Sequence, residues 1–514
     1  MAASMPAGEV DGRAPAANGT AHNVRMQATR TRTRQPPGVL TLAMVEMWER
    51  FSYYGMVALL VLFLIAPEDG PWPPGPGEGF SEADAAALFG CYGALVMATP
   101  LLGGWLGDRL LGPRRALVIG GLLIAAGHFV LLIPQMALFW TGLLVIAAGT
   151  GLLKPNISTV LGDLYPPDDP RRDSGFSMFY FGINVGAFIA PLICGWVATT
   201  ISWQLAFGIA GVGMLLGMLQ YSLGRHRLGQ AGLQVPRALP EASRGRALGF
   251  ALAATVGVIA LFSGTAWLLG FRASVVTATM TVLVLGIAIA AFTFLLTRVK
   301  GSPEDRRHMR AFLLLFIASA VYLTLSSQVG STITEFVQDF SQRTFGDFTL
   351  PTSWLQSLNP VLVIAFAPVF AWLWTTLGTR APSTPTKTAA GIALLGFSFL
   401  VMAIPGQAAD QGQSSALTWV LVTFLLMTWA ELLVVPIALS TTTKLAPQGL
   451  SSQMVGLWYL AAATGGAVGG QLARLTEVLG RGGYFLACGL LVLGVAVAFM
   501  ALRRTWSGLL APIR

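Results

Sequence analysis

From about residue 39 onward, apolar runs of roughly 20 to 28 residues alternate with short polar loops. A helix rises 1.5 Å per residue, so each run can cross the ~30 Å hydrocarbon core of a bilayer. The pattern predicts fourteen transmembrane helices, at about 40–66, 83–110, 114–134, 137–163, 174–198, 202–223, 246–269, 274–298, 310–338, 353–378, 387–405, 417–445, 450–475 and 483–503. Several loops between them are only a few residues long, which makes successive helices antiparallel neighbours. Residues 1–38 are rich in Ala, Pro, Gly and Arg and show no apolar periodicity. Lacking the central apolar run and cleavage site of a signal peptide, they are expected to form a disordered cytoplasmic tail.

The distribution of Arg and Lys tests the count. Most of the 32 basic residues fall on the side shared with the N-terminus, whereas Arg272, Arg343, Arg474 and Arg481 fall on the other. The positive-inside rule then puts both termini in the cytoplasm. An uncharged hairpin at about 246–298, with Arg272 at its turn, interrupts the series. Without it, six helices remain on each side, as in two halves related as parallel repeats. The expected organisation is a tail at 1–38, a six-helix bundle at 39–224, a linker and inserted hairpin at 225–300, a second six-helix bundle at 301–504 and a cytoplasmic tail at 505–514.

Composition narrows the function classes. Of 514 residues, 54% are apolar and 11% charged, against about 25% charged in a soluble domain, so the missing charge implies a lipid-facing surface. The net charge of +9 is scattered through loops, which suits membrane orientation and excludes a nucleic-acid surface. Cys91, Cys194 and Cys488 all lie inside apolar runs, without a CxxC or a Cys/His ligand set, so neither a disulfide scaffold nor a metal site is expected. The run Gly465 to Gly470 follows no strand and sits in mid-membrane, which points to close helix packing rather than a nucleotide loop. No nucleophile with a base, metal cluster or phosphate loop suggests an enzyme, and no cofactor is expected. His128 is read as a satisfied core histidine.

A charge at bilayer depth is costly unless it is paired or wet, so the few that remain are functional pointers. They are Glu46, Glu49 and Arg50 in the first run, Lys154 in the fourth and Glu431 in the twelfth, with Glu335 near the outer end of the ninth. Glu46, Glu49, Arg50, Tyr53 and Tyr54 recur at helical spacing, placing most of this set on one inward face. Two carboxylates beside one guanidinium suit proton handling. Arg50 holds one ionised, while burial and like charge raise the proton affinity of the other.

The stretch Gly103-Gly104-Trp105-Leu106-Gly107-Asp108-Arg109, with Arg114 and Arg115, resembles the loop signature of the major facilitator superfamily. Its glycines allow close helix approach, and Asp108 can cap a helix start. Glu46 through Tyr54 is similar to the ExxERFxYY signature of the proton-coupled oligopeptide transporter branch of that superfamily. Gly149 to Ser158, Phe179 to Gly186 with Pro191, Trp354 to Pro360 with Ala367 to Trp372, and Glu431 to Pro447 resemble four further stretches of it.

The resemblance implies an all-α major facilitator fold, with twelve core helices in two bundles plus the hairpin, that imports di- and tripeptides with protons by rocking its halves. A multi-pass monomer in the cell (inner) membrane is expected, with small peptides and lipid as partners and the proton as coupling ion. A peptide is a zwitterion, and the residues supply matching charge. Arg50 and Lys154 in the first half can hold its carboxylate, and Glu431 in the second its ammonium. Asn184 and Asn359 can hydrogen-bond a peptide backbone, and Tyr54, Tyr92 and Trp458 can form apolar walls with polar tips. One position departs from the family. Ser327 stands where a glutamate within an FEQxG stretch is usual, and Lys154 thereby loses its expected partner; Ala187 stands where serine is common. Either proton coupling rests on Glu46 and Glu49, or the substrate is another small molecule on the same frame, such as an amino acid, nitrate or another anion. A nutrient receptor with little transport is a further alternative.

Overall fold

The computed structural model describes residues 34–511 apart from 167, 168, 170, 237, 242, 247, 248, 250–256, 258, 259, 262, 263, 266, 270, 271, 299–302 and 447–450. Among the described residues, twelve helical stretches are long and apolar enough to cross a membrane. Hydrocarbon offers the backbone no hydrogen bonds, so a spanning chain pairs its amides within helices. The first six stretches are built on α1 (Pro37–Ile65), α2 (Glu82–Leu106), α3 (Pro113–Val130), α4 (Met136–Gly162), α5 (Arg172–Thr200) and α6 (Trp203–Gly224). The other six are α7 (Ala273–Arg298), the pair α8 (Pro303–Ser326) and α9 (Thr332–Phe340), α10 (Leu358–Leu377), α11 (Thr384–Asp410), α12 (Thr418–Leu445) and α14 (Thr476–Ala501). Between the last two lies α13 (Ser451–Ala473). The first helix of the expected hairpin, 246–269, lies largely outside the described residues, as do residues 1–33 and 512–514.

Two hydrophobic cores organise these helices. One runs from Val39 to Leu228, with Phe63, Phe139, Trp203 and Phe207 meeting near one end of the molecule. The other draws most of its residues from Met280 to Leu510. Helix α7 belongs to the second core through Met280, Val284, Ala288 and Phe292, and leaves Val282, Ile289 and Phe294 exposed. Helix α7 is thus two-faced: one face packs against protein, and the other is apolar and open, as a lipid-facing surface would be.

Several expectations are corrected. The ninth run was expected to be continuous over 310–338, but the helix starts at Pro303, tightens into a 3₁₀ turn at Ser327–Gly330 and breaks at Ser331 (φ −126°, ψ −102°) before α9. The break is held by side chains: Gln328 Oε1 accepts from Thr332 Oγ1 (3.1 Å), Ser331 Oγ (3.4 Å) and Tyr484 Oη (3.0 Å). Asp108 lies in a π turn, Gly107–Leu111, and the N-cap residue of α3 is Gly112, whose φ of 80° a side chain would resist. From residue 505 a tail was expected, yet α15 (Arg503–Leu510) forms there and buries Trp506 completely. His128 is buried as expected but not satisfied, since neither ring nitrogen has a hydrogen-bond partner among the described residues.

The two cores meet most tightly at the end remote from the termini. There α2 lies along α13, with Gly90 against Gly466 and Gly470, so that backbones touch where larger residues would hold them apart. Glu82 and Asp84, in the first turn of α2, suit its positive N-terminal dipole and also reach across. Arg474 donates to Asp84 at 2.7 Å, and Arg481 to both oxygens of Glu82 at 2.6 and 2.7 Å. Arg481 is aimed by a kink at Gly480 (φ 70°), where Asp410 accepts from the amides of Arg481 (2.7 Å) and Gly482 (2.9 Å). Helices α5 and α10 join at the same end, where Ser357 Oγ donates to Phe188 O (2.7 Å) and Trp354 Nε1 to Leu192 O (3.0 Å). Toward the terminal end, Tyr180 and Phe181 on α5 and Val369 and Trp372 on α10 are exposed.

A Cβ at Gly90 would lie 2.9 Å from Gly470 Cα, so Gly90→Leu is expected to force the remote ends apart. Double electron–electron resonance between labels on the α1–α2 loop and the start of α14 is expected to show a longer distance than wild type. An unchanged distance would mean that this glycine contact does not set the closure.

Candidate functional site

Helix α1 carries its polar face in the middle of the membrane, and its apolar remainder packs against α5 and α6. Glu46, Glu49 and Arg50 are all at most 2% exposed. Arg50 engages Glu49 through a forked pair: Nη2 donates to Oε1 at 2.5 Å, and Nε donates to Oε2. Its Nε is 3.7 Å from Glu46 Oε1, while Glu46 Oε2 is buried with no hydrogen-bond partner. The two acids that spacing alone left equivalent are therefore different. Glu49 is paired and Glu46 is under-satisfied. The guanidinium also stands over the rings of Tyr53 (4.8 Å) and Tyr54 (5.8 Å), which favours its charge in a dry site.

Lys154 comes from α4, within the electrostatic neighbourhood of Glu46, Glu49 and Arg50. It makes no hydrogen bond or ion pair of its own among the described residues. The helix around it is set by close packing. Pro155 leaves the Gly151 carbonyl without its helical donor, Gly103 of α2 lies against that carbonyl, and Asn156 Nδ2 donates to Gly103 O at 3.2 Å. The Ser327 hydroxyl donates back to Thr324 O at 2.8 Å and faces Gly469, and no hydrogen bond joins it to Lys154 among the described residues.

In the other half, Glu431 projects from α12 and is held by Asn359, whose Nδ2 donates to its Oε2 at 2.8 Å and lies 3.3 Å from Thr428 Oγ1. Asn359 therefore holds Glu431 in this arrangement. Asn184 Nδ2 donates to Tyr180 O at 3.0 Å, which leaves its second N–H and its carbonyl oxygen. Trp458 is buried, and its Nε1 donates to Ser319 Oγ at 3.3 Å within its own half. Tyr92 is buried, with a hydroxyl that has no partner.

Tyr54 lies in the electrostatic field of both Arg50 in the first half and Glu431 in the second. Tyr180 of α5 and Tyr322 of α8 share the field of Glu431, and Tyr459 of α13 that of Glu46 and Arg50. These three tyrosines were not among the residues expected from sequence. The four-residue spacing of Tyr180 and Asn184, which puts them on one helix face, was the available signal for the first.

The asymmetry of the two acids is testable without substrate. Glu49→Gln breaks a buried ion pair and is expected to cost about 3–5 kcal/mol, whereas Glu46→Gln removes a poorly satisfied carboxylate and is expected to be near neutral. Thermal unfolding of the detergent-purified variants checks this, and equal losses would contradict the assignment.

Comparison with known proteins fits this geometry. A sequence model described as PTR2, POT family, matches residues 114–484. A di-/tripeptide transporter of Lactococcus lactis subsp. cremoris is 35% identical over 492 residues, covering 93% of this chain and 97% of that protein. The transporter YclF of Bacillus subtilis (strain 168), of uncharacterised function, is 38% identical over 482 residues, covering 92% and 96%. A crystal structure of a peptide transporter POT in complex with sulfate superposes with a TM-score of 0.86 at 37% identity, covering 92% of this chain and 96% of that one. Another, of a POT family transporter in complex with 5-aminolevulinic acid, gives 0.85 at 28% identity, covering 92% and 97%. With the family model spanning most of the chain and the helices arranged as in solved members, this all-α membrane protein has the major facilitator fold and belongs to the POT family.

Proposed function

We propose that the protein is a symporter that imports di- and tripeptides with protons by alternating access. The observation that carries this reading is the division of buried charge. Arg50 and the unpaired Lys154 lie in the first half, Glu431 in the second, and Tyr54 stands between them. A peptide's carboxylate would sit at the cations and its ammonium at Glu431, with Asn359 orienting the acid. Because the ends are held by different halves, substrate binds best when the halves close on it, and that difference in affinity is what a ligand needs to drive a conformational change. The relatives named as di-/tripeptide transporters support the substrate class.

On this reading the terminal end is cytoplasmic, in a cell (inner) membrane, because the basic residues gather there. The remote end, sealed by Arg474, Arg481 and the glycine contact, is then the outer gate, and the arrangement is inward-facing. The halves move as the two hydrophobic cores, about 39–224 and 301–504. Glu46 carries the proton, Glu49 and Arg50 set its affinity, and Tyr54, Tyr92 and Asn184 line the site. Ser327 leaves Lys154 free to meet the substrate carboxylate directly.

Reconstituted protein is expected to accumulate labelled dialanine when an inward proton gradient is imposed, and only to equilibrate it without one. Uptake by Lys154→Ala or Glu431→Gln is expected to fall at least about tenfold, the scale of losing a charge-assisted contact. N-acetylated dialanine should compete poorly with wild type and lose less ground against Glu431→Gln. Binding without uptake would favour a receptor instead, and accumulation of amino acids or nitrate but not peptides would favour a changed substrate. Ser327→Glu is expected to alter the proton dependence of uptake by giving Lys154 a partner. An unchanged profile would remove the importance of that position.

A further inference from the structure

The remote end holds more acid than it can pair. Glu82 and Asp84 of α2 and Glu335 and Asp339 of α9 converge there with two guanidinium groups, Arg474 and Arg481. Arg474 Nη2 donates to Asp84 and to Thr277 Oγ1 of α7 (3.4 Å), and its Nε is buried without a partner. Arg481 is spent on both oxygens of Glu82, is 3.9 Å from Asp339 Oδ2, and stacks over Phe340 at 4.4 Å. Glu335 is left over. It is 4% exposed, and its Oε1 is buried with no hydrogen-bond partner.

The local structure explains why no donor comes to it. The break in the helix turns the polar groups of Ser327–Thr334 onto one another: Thr332, Ser331 and Tyr484 all donate to Gln328, and Thr334 Oγ1 donates to Val329 O at 2.6 Å. From α14 the groups facing Glu335 are Arg481 and Tyr484, with Cys488 beyond; from α2 it is Glu82; from its own helix, Asp339, with Arg343 just after it. The second half of α1, Gly55–Ile65, carries no titratable side chain, and neither do residues 352–357. An isolated carboxylate in such a place is far more costly than a neutral carboxyl.

We propose that Glu335 is a second proton-binding group, separate from Glu46, that takes up a proton from the outer solution as the outer gate closes and returns it when the gate opens. The step is a simple protonation, carboxylate to carboxyl, with the aqueous proton as the only co-reactant. Opening separates Glu335 from Glu82, readmits water and lets the carboxyl ionise; closing does the reverse. The outer gate then closes more readily in acid, which places its sensitivity on the side from which a proton-coupled importer draws its protons. The assignment of this end as outer rests on the transport reading above, whereas the coupling of closure to protonation does not.

The test uses the full chain in lipid vesicles without substrate, with the native cysteines replaced by alanine and labels at Asp69→Cys and Val478→Cys, both exposed at this end. Electron–electron distance distributions between pH 5 and 9 are expected to show the closed population falling as pH rises. Glu335→Gln, which is neutral at every pH, is expected to stay closed across the range. A Glu335→Gln profile that still follows wild type overturns the proposal. Should that variant not fold, Glu335→Asp must displace the midpoint, and an unmoved midpoint overturns it equally. No peptide is involved, so failure here is distinguishable from failure of the uptake experiment.

Discussion

One guanidinium and two carboxylates share a turn and a half of a helix that is otherwise apolar and encased by its neighbours. In a medium that solvates charge poorly, this set cannot be neutral with both acids ionised, and the forked contact between Arg50 and Glu49 decides which of them yields. Glu46 is left with one distant contact to the guanidinium and one oxygen with none. Its charge is the one that a proton, or a change in the position of Lys154, can relieve. Tyr53 and Tyr54 complete the arrangement by presenting ring faces to the same guanidinium.

The rest of the molecule distributes charge on the same principle. Glu431 survives in the second half because Asn359 donates to it, and on the proposed reading its missing counter-charge arrives with the substrate. At the remote end the two cross-half arginines are used up by Glu82 and Asp84, which leaves Glu335 to be neutralised in another way. Both sites have more acid than base, and both lie where the halves meet or part. The glycine contact of Gly90 with Gly466 and Gly470 brings backbones close enough for the gate pairs to form.

Much of this was legible in the sequence, and the parts that were not share a cause. Apolar runs marked the helices because a bilayer imposes their length, and Glu46, Glu49, Arg50, Lys154 and Glu431 stood out because charge in such runs is rare. Periodicity could not tell Glu46 from Glu49, since which of the two acids meets the guanidinium depends on rotamers. Nor could it show that Asn359 and Asn184 are already engaged, or that Trp458 bonds Ser319, because those partners are distant in sequence or lie in the backbone. The break at Ser331 was hidden for a similar reason: it is stabilised by Tyr484, more than 150 positions away. The N-cap position of α3 is Gly112, whose left-handed backbone no apolar pattern marks.

The central claim is that Glu46 is the residue whose protonation couples the gradient to transport. Vesicles containing Glu46→Gln separate coupling from movement. Exchange of labelled dialanine against unlabelled dialanine needs substrate on both sides but no net proton flow, whereas accumulation needs net proton flow. The account predicts that Glu46→Gln keeps exchange within a few-fold of wild type and loses accumulation. Accumulation against a concentration gradient at wild-type levels in that variant would contradict it.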